Sequence, residues 1–368
     1  MQLNRKTFFC ISSSIAVALA PFFLIAQKTD SIIKTGSLLP LPIVARSIET
    51  NWAFGAAVSG TFHLNSTKGI HTRTSNLQAL ALYSLRKQFV AAINGSIYFP
   101  GERFILNQRI SYSYYPDKFW GLGKNTPNSN KEDYNSKQFY IYLHPQVLIK
   151  TNFFLGLLYE FQNVWDINYV AGGLFDQQNV LGRKGYHVSG LGLSLTYDSR
   201  NNAFAPDRGA MLQFYFNHFD PIFASDYRYT NYVVDLRKFM RTYGQQVLAL
   251  RAYGFFNAGE VPLRSLAAFG GSSLMRGFYE GRWRDYNQVV LQAEYRIPLI
   301  WRFGLVAFGG LGNVEHDLAN FDFTYLKYSF GGGLRFALSK SERLNLRLDY
   351  GFGGHDENGF YFQLGEAF

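Results

Sequence analysis

The chain has 368 residues, a formal net charge of +10 at pH 7, 18% aromatic residues and a single cysteine, Cys10. Its basic residues never form a run of five or more, which argues against a nucleic-acid partner, and one cysteine excludes a disulfide within the chain. With 35 Phe, 25 Tyr and 35 Gly against 11 Pro, a water-soluble domain would have to bury most of its rings, whereas a barrel in lipid turns them outward with Tyr and Trp at the two interfaces.

Residues 1–26 read as a secretory signal. Arg5 and Lys6 precede an uncharged apolar run from Phe8 to Ile25 that ends in Ala26 and gives way to Gln27, Lys28, Thr29 and Asp30. Cleavage after Ala20 is a second option, and an uncleaved membrane helix is the alternative reading of the run. Thr7-Phe8-Phe9 ahead of Cys10 lacks the small residues of a lipidation site. Loss of Arg5 and Lys6 takes the net charge from +10 to +8, suited to a barrel beside anionic lipid head groups. Beyond residue 26 no apolar stretch approaches the roughly 18 residues of a membrane helix, so a membrane-spanning mature chain must cross as strands.

Residues 27–40 read as a short periplasmic segment with no folded module, and 41–368 as a transmembrane barrel. Period-2 segments predict strands at 41–46, 52–64, 74–86, 88–99, 103–115, 135–149, 152–166, 186–198, 208–219, 227–240, 244–258, 285–297, 301–313, 324–338, 342–353 and 359–368. In the segment 289–299, Leu291, Ala293, Tyr295 and Ile297 alternate with Gln292, Glu294 and Arg296. In 344–352, Leu346, Leu348, Tyr350 and Phe352 alternate with Asn345, Arg347 and Asp349. One face suits lipid and the other carries full charges, which fits an antiparallel barrel with a polar lumen.

Sixteen is an even count, as a single-chain bacterial barrel requires. The loops agree with it. With both termini in the periplasm, the long links at 116–134, 167–185 and 259–284 fall outside, and the short ones at 100–102, 150–151, 241–243, 298–300 and 339–341 fall inside. The last strand places Phe360, Phe362, Leu364 and Phe368 on one face, ending on Phe368 as a C-terminal targeting strand does.

Three pieces resemble the BamA/TamA family of outer-membrane assembly barrels, the bacterial surface antigens: Arg276-Gly277-Phe278 in the third long loop, Glu294-Tyr295-Arg296-Ile297-Pro298 in the next strand, and the closing Phe360 to Phe368. Asp198-Ser199-Arg200 with Pro206 and Gly209 resembles that family's mid-barrel turn. The resemblance implies a sixteen-stranded barrel whose sixth outer loop inserts into the lumen, with its Arg held by acids on neighbouring strands. By position Glu294 is one such acid. Phe308-Gly309-Gly310-Leu311-Gly312 resembles the second acidic motif, but Gly310 stands where that motif has Asp, so Asp349 or another lumen acid is the candidate substitute. The periplasmic modules of the family, of the POTRA type, are not expected ahead of this barrel.

A barrel of sixteen strands is too wide for its own side chains to fill, which makes the loop a candidate plug; a solvated outer loop is the plain alternative. Pro42 in a short first strand cannot donate to the ladder, so the seam between Pro42 and Phe368 is expected to pair poorly. No Gly-x-Ser-x-Gly elbow or His pair with metal spacing occurs, and no catalytic residue, cofactor or metal is expected. A Ser–His pair created by folding is the remaining enzymatic reading, Asp356-Glu357-Asn358-Gly359 reads as a hairpin turn, and His144 as a wall residue. The expected function is a non-enzymatic, monomeric outer-membrane barrel assisting assembly, insertion or export, with lipid and client or accessory outer-membrane proteins as partners. A porin-like passive or gated channel is the alternative.

Overall fold

Sixteen strands close into one antiparallel barrel in the computed structural model, which describes residues 33–64, 72–340, 343–354 and 357–368. The expected leader at 1–26 and the start of the 27–40 segment lie outside those residues, as does Asp356 of the predicted hairpin turn. The first half of the barrel is β1 (Ile33–Ser47), β2 (Asn51–Leu64), β3 (Ser75–Ser84), β4 (Phe89–Tyr98), β5 (Phe104–Phe119), β6 (Glu132–Lys150), β7 (Phe153–Asn168) and β8 (Tyr186–Asp198). The second half is β9 (Gly209–Phe219), β10 (Tyr229–Arg241), β11 (Val247–Gly259), β14 (Asn287–Pro298), β15 (Phe303–Glu315), β16 (Lys327–Ser339), β17 (Leu344–Gly353) and β18 (Asn358–Leu364). Two short strands, β12 (Ala267–Phe269) and β13 (Trp283–Asp285), pair with each other inside the loop that joins β11 to β14.

Alternation decides what each face meets. In β8, Leu191, Leu193 and Leu195 are exposed while Gly190, Gly192, Ser194 and Thr196 between them are buried. Leu155, Leu157, Leu212, Phe214, Leu291 and Leu305 continue the exposed belt on other strands. An apolar belt of this extent belongs in lipid rather than water. No helix among the described residues is long and apolar enough to cross a membrane. The inward face buries Asp235, Arg251, Glu294, Arg347 and Asp349, charges that the lumen keeps in pairs.

The first and last strands depart from expectation. β1 begins at Ile33 rather than residue 41 and pairs with β2 from Ile33 opposite Leu64 to Ser47 opposite Asn51, with Pro40 and Pro42 inside it. Two residues apart, these prolines remove donors from one edge of the strand and leave the β2 edge intact. β18 stops at Leu364, because Gly365 at φ 86° turns the chain into the barrel. Phe368 therefore does not share the outer face of Phe360, Phe362 and Leu364; it is buried inside, packed with Phe239 and Ala249.

Candidate functional site

The connection between β11 and β14, residues 260–286, is folded by its own β12–β13 hairpin and runs along the inner wall. Its tip is Met275 to Phe278. The Arg276 side chain is 2% exposed; it donates from Nη2 to Glu294 Oε2 and from Nη1 to Asp349 Oδ2, both at 2.6 Å. Its guanidinium also lies over the Phe308 ring, 3.5 Å from the centroid. Glu294 on β14 and Asp349 on β17 face inward because each sits on the polar phase of its strand.

Neither carboxylate depends on Arg276 alone. Glu294 accepts from Arg296 Nε at 2.7 Å, and Asp349 accepts from Arg335 Nη1 at 2.5 Å, with Arg347 at 3.7 Å. Arg335 also reaches Glu366 at 2.7 Å. Four arginines thus share three acids across β14, β16, β17 and the C-terminal tail, a surplus of one positive charge that only a close network can hold in a buried site.

Glycines admit the loop to the wall. Gly277 has φ 113°, and its N–H donates to the Tyr361 hydroxyl at 2.9 Å. A Cβ on Gly351 would lie 2.7 Å from the Arg276 carbonyl carbon, and one on Gly353 would lie 2.6 Å from the Phe278 ring. Both glycines continue the inward row of Arg347 and Asp349, so β17 offers the loop a groove without side chains. Phe278 fills a cluster with Phe269, Met275, Trp283, Val290 and Val314. At Gly310 a Cβ would lie 3.0 Å from Met275 Sδ, so the residue that replaces the family's Asp makes room for the loop, while Asp349 supplies the second carboxylate.

A second set of contacts holds the outer half of the loop. Asp117 of β5 accepts from the Tyr134 and Tyr279 hydroxyls, both at 2.9 Å, and from Arg284 at 3.3 Å. Arg282 pairs with Glu357 at 2.8 Å. In the turn between β1 and β2, Glu49 accepts from the Glu280 N–H at 2.8 Å. Burial, with the neighbouring Glu280 carboxylate second, pushes the Glu49 carboxyl up to about 7. Beneath this layer lies a cavity of about 560 Å³ whose lining includes Arg109, Tyr140, Glu160, Arg264 and Glu280.

The seam is the weakest join of the ring. Among the described residues β1 pairs with β18 only at Arg46 opposite Phe362. Continued in that register, Pro42 would face Glu366 and Pro40 would face Phe368, but the tail has turned inward at Gly365. The missing strand end and the missing proline donors fall on the same stretch of edge.

Sequence reasoning named Arg276, Gly277, Phe278, Glu294 and Asp349, which the structure gathers at one place. It missed Arg335, Arg296, Tyr361 and the tail acid Glu366. For the first two, alternation gives the inward phase but not the partner across the lumen; the Gly351-Phe352-Gly353 pattern after Asp349 was the legible sign of close backbone approach. Away from the loop, folding does bring a Ser and a His together among the described residues, His144 and Ser194 at 2.6 Å, but they are 1% and 2% exposed and so are closed to a substrate. Among the described residues no group of three or more His, Cys, Asp and Glu side chains is placed to hold a metal ion.

Solved structures share this architecture. BamA from Haemophilus ducreyi lacking POTRA domains 1–3 is similar with a TM-score of 0.56 at 14% identity, covering 98% of this chain and 80% of that one. CdiB from Acinetobacter baumannii is similar with a TM-score of 0.57 at 12% identity, covering 90% of this chain and 65% of that one. CdiB from Escherichia coli is similar with a TM-score of 0.57 at 13% identity, covering 92% of this chain and 63% of that one. A search of curated proteins found no match. The Omp85 superfamily domain matches residues 98–368, from the end of β4 to the last residue, and the chain belongs to that superfamily.

Proposed function

We propose that this chain is a non-enzymatic outer-membrane barrel of the BamA/TamA type that assists the assembly, insertion or export of outer-membrane or surface components. It works in lipid as a single barrel after loss of residues 1–26, on client or accessory outer-membrane proteins and without a cofactor. Arg276, Gly277 and Phe278 latch the loop to Glu294 and Asp349.

The seam carries this reading: every other neighbouring pair in the ring is joined over at least seven residue pairs, and β1 and β18 over one. A ring that is firm everywhere else can part there, exposing strand edges to which an incoming strand can add. The loop against the inner wall speaks against the porin-like alternative, because a steady pore needs an open lumen. The test is insertion of an unfolded outer-membrane barrel into liposomes with and without this protein. Faster insertion in its presence is expected; equal rates would refute an assembly role.

A further inference from the structure

The periplasmic end of the lumen is crossed by the connection between β8 and β9, residues 199–208. A ten-residue link in open solvent would expose most of its side chains. Here Arg208 alone among the ten is classed exposed, Pro206 is buried, and Ala203 and Phe204 face a residual cavity of about 180 Å³ with Asn107, Gln146, Thr196 and Gln213. The segment is folded on itself. Asn202 Oδ1 accepts from the Phe204 and Ala205 N–H groups at 2.9 and 2.8 Å, and Asn201 Nδ2 donates to Asp207 Oδ1 at 2.8 Å. At its exit Gly209 has φ 102°, where a Cβ would lie 2.2 Å from the Ser199 carbonyl oxygen, so only glycine closes the base of the link.

Ion pairs anchor it to both sides of the barrel. At its start Asp198 accepts from Arg73 at 2.6 Å and from Arg200 at 2.9 Å, and Arg73 also binds Glu102 at 2.7 Å. Arg73 stands just before β3. At its end Asp207 accepts from Arg241 at 2.5 Å and from Arg343, just before β17, at 2.9 Å. Burial alone would raise the Asp207 carboxyl, but Arg241 and Arg343 hold it below the ordinary carboxylate range. Counted round the ring from β9, β3 is six places away through β8 to β4, and β17 is six places away through β10 to β16. Arg73 and Arg343 therefore reach the two ends of the link from across the mouth, Arg73 through Asp198 at the end of β8, while Arg241, the last residue of the neighbouring β10, holds Asp207 from the rim. Arg296 adds a third tie: besides Glu294 it donates to the Pro206 carbonyl at 3.4 Å and to the Phe368 carbonyl at 3.0 Å, which draws the inturned tail into the same layer.

We infer that residues 199–208 are a strap that shuts the periplasmic mouth, a second closure independent of the outer loop, opened when Arg73 and Asp207 lose their partners. Released at both anchors, the strap keeps only Arg296, the local Arg200–Asp198 pair at its foot and its covalent ends, and the lumen opens to the periplasm. An opening of this kind would let the lumen be reached from the periplasm while the outer loop stays docked.

The experiment uses Ser96→Cys, a lumen position on the same 180 Å³ cavity, in the full-length protein expressed in cells; the sole native cysteine, Cys10, lies in the expected leader. A bulky maleimide supplied to the periplasmic side should label this cysteine at least tenfold faster when Arg73→Ala and Asp207→Ala are added, with heat-modifiable gel migration showing that each barrel is folded. Equal labelling rates would overturn the strap. Conductance gives a second readout if the double variant folds poorly. A barrel whose residues 262–282 are replaced by a short linker should pass little current with the strap intact and form a steady pore with the milder pair Arg73→Gln and Asp207→Asn. A steady wide pore with the strap intact would overturn the inference.

Discussion

Replacing Arg276 by Ala removes two charge-assisted hydrogen bonds of 2.6 Å from a site where the side chain is 2% exposed. Breaking a buried ion pair by deleting one partner costs about 3–5 kcal/mol, chiefly because the other charge is left unpaired. Here it is not. Glu294 retains Arg296 and Asp349 retains Arg335, and the cluster loses its one surplus positive charge. The cost should therefore fall below that range, to about 2–3 kcal/mol, or roughly a 30- to 150-fold rise in the open population of the loop at about 1.36 kcal/mol per tenfold. The strand ladder is untouched, so the change belongs to the loop and not to the barrel. Hydrogen–deuterium exchange on the refolded barrel reads it directly: amides of residues 270–282 should exchange 30- to 150-fold faster, with those of β8 and β10 unchanged. Unaltered protection of 270–282 would refute the assignment of Arg276 as the group that holds the loop.

Two further perturbations probe the same docking from other sides. Gly351→Ala puts a Cβ 2.7 Å from the Arg276 carbonyl carbon, which cannot move without the loop, so the tip should detach at a cost of about 1–3 kcal/mol; protease cleavage within 270–282 should accelerate while the barrel's melting temperature holds. Glu49 gives a pH dependence. Burial, and after it the Glu280 carboxylate, raise its carboxyl from 4.5 to about 7 against the opposing pull of the Glu280 N–H, so the docked surroundings favour the protonated form. The tie between the 48–50 turn and Glu280 should be intact below about 4.5, weaken as pH rises, and be fully weakened above about 7. Exchange at residues 279–281, corrected for intrinsic rate, should rise from pH 5 to pH 8 in the native protein and rise less in Glu49→Gln, where only the buried Glu280 carboxyl, also raised, still titrates.

Much of the wall was legible because alternation is a local property. The predicted segment 186–198 coincides with β8, and the other predicted strands overlap their observed counterparts, since lipid on one side and a polar lumen on the other impose a period of two on every strand. The inward phase of Glu294 and Asp349 came from the same rule. What alternation does not carry is the meeting of inward groups from distant strands: Arg335 with Glu366, Arg73 with Asp198 and Asp207 with Arg343 lie far apart in sequence and join only once the ring closes. Phe368 shows where the rule breaks. Its even spacing from Phe360, Phe362 and Leu364 put it on the outer face, but a glycine at positive φ ended the strand first, and parity holds only while the strand does.

The proposed assembly role requires the β1–β18 seam to part while the barrel acts on a client. Arg46→Cys with Phe362→Cys places two thiols at the one paired position of the seam, and antiparallel partners lie within the Cα spacing a disulfide needs. In the liposome insertion assay the oxidised, locked barrel should lose its acceleration of client folding and regain it on reduction. A locked barrel that accelerates insertion as well as the reduced one would show that the seam need not part.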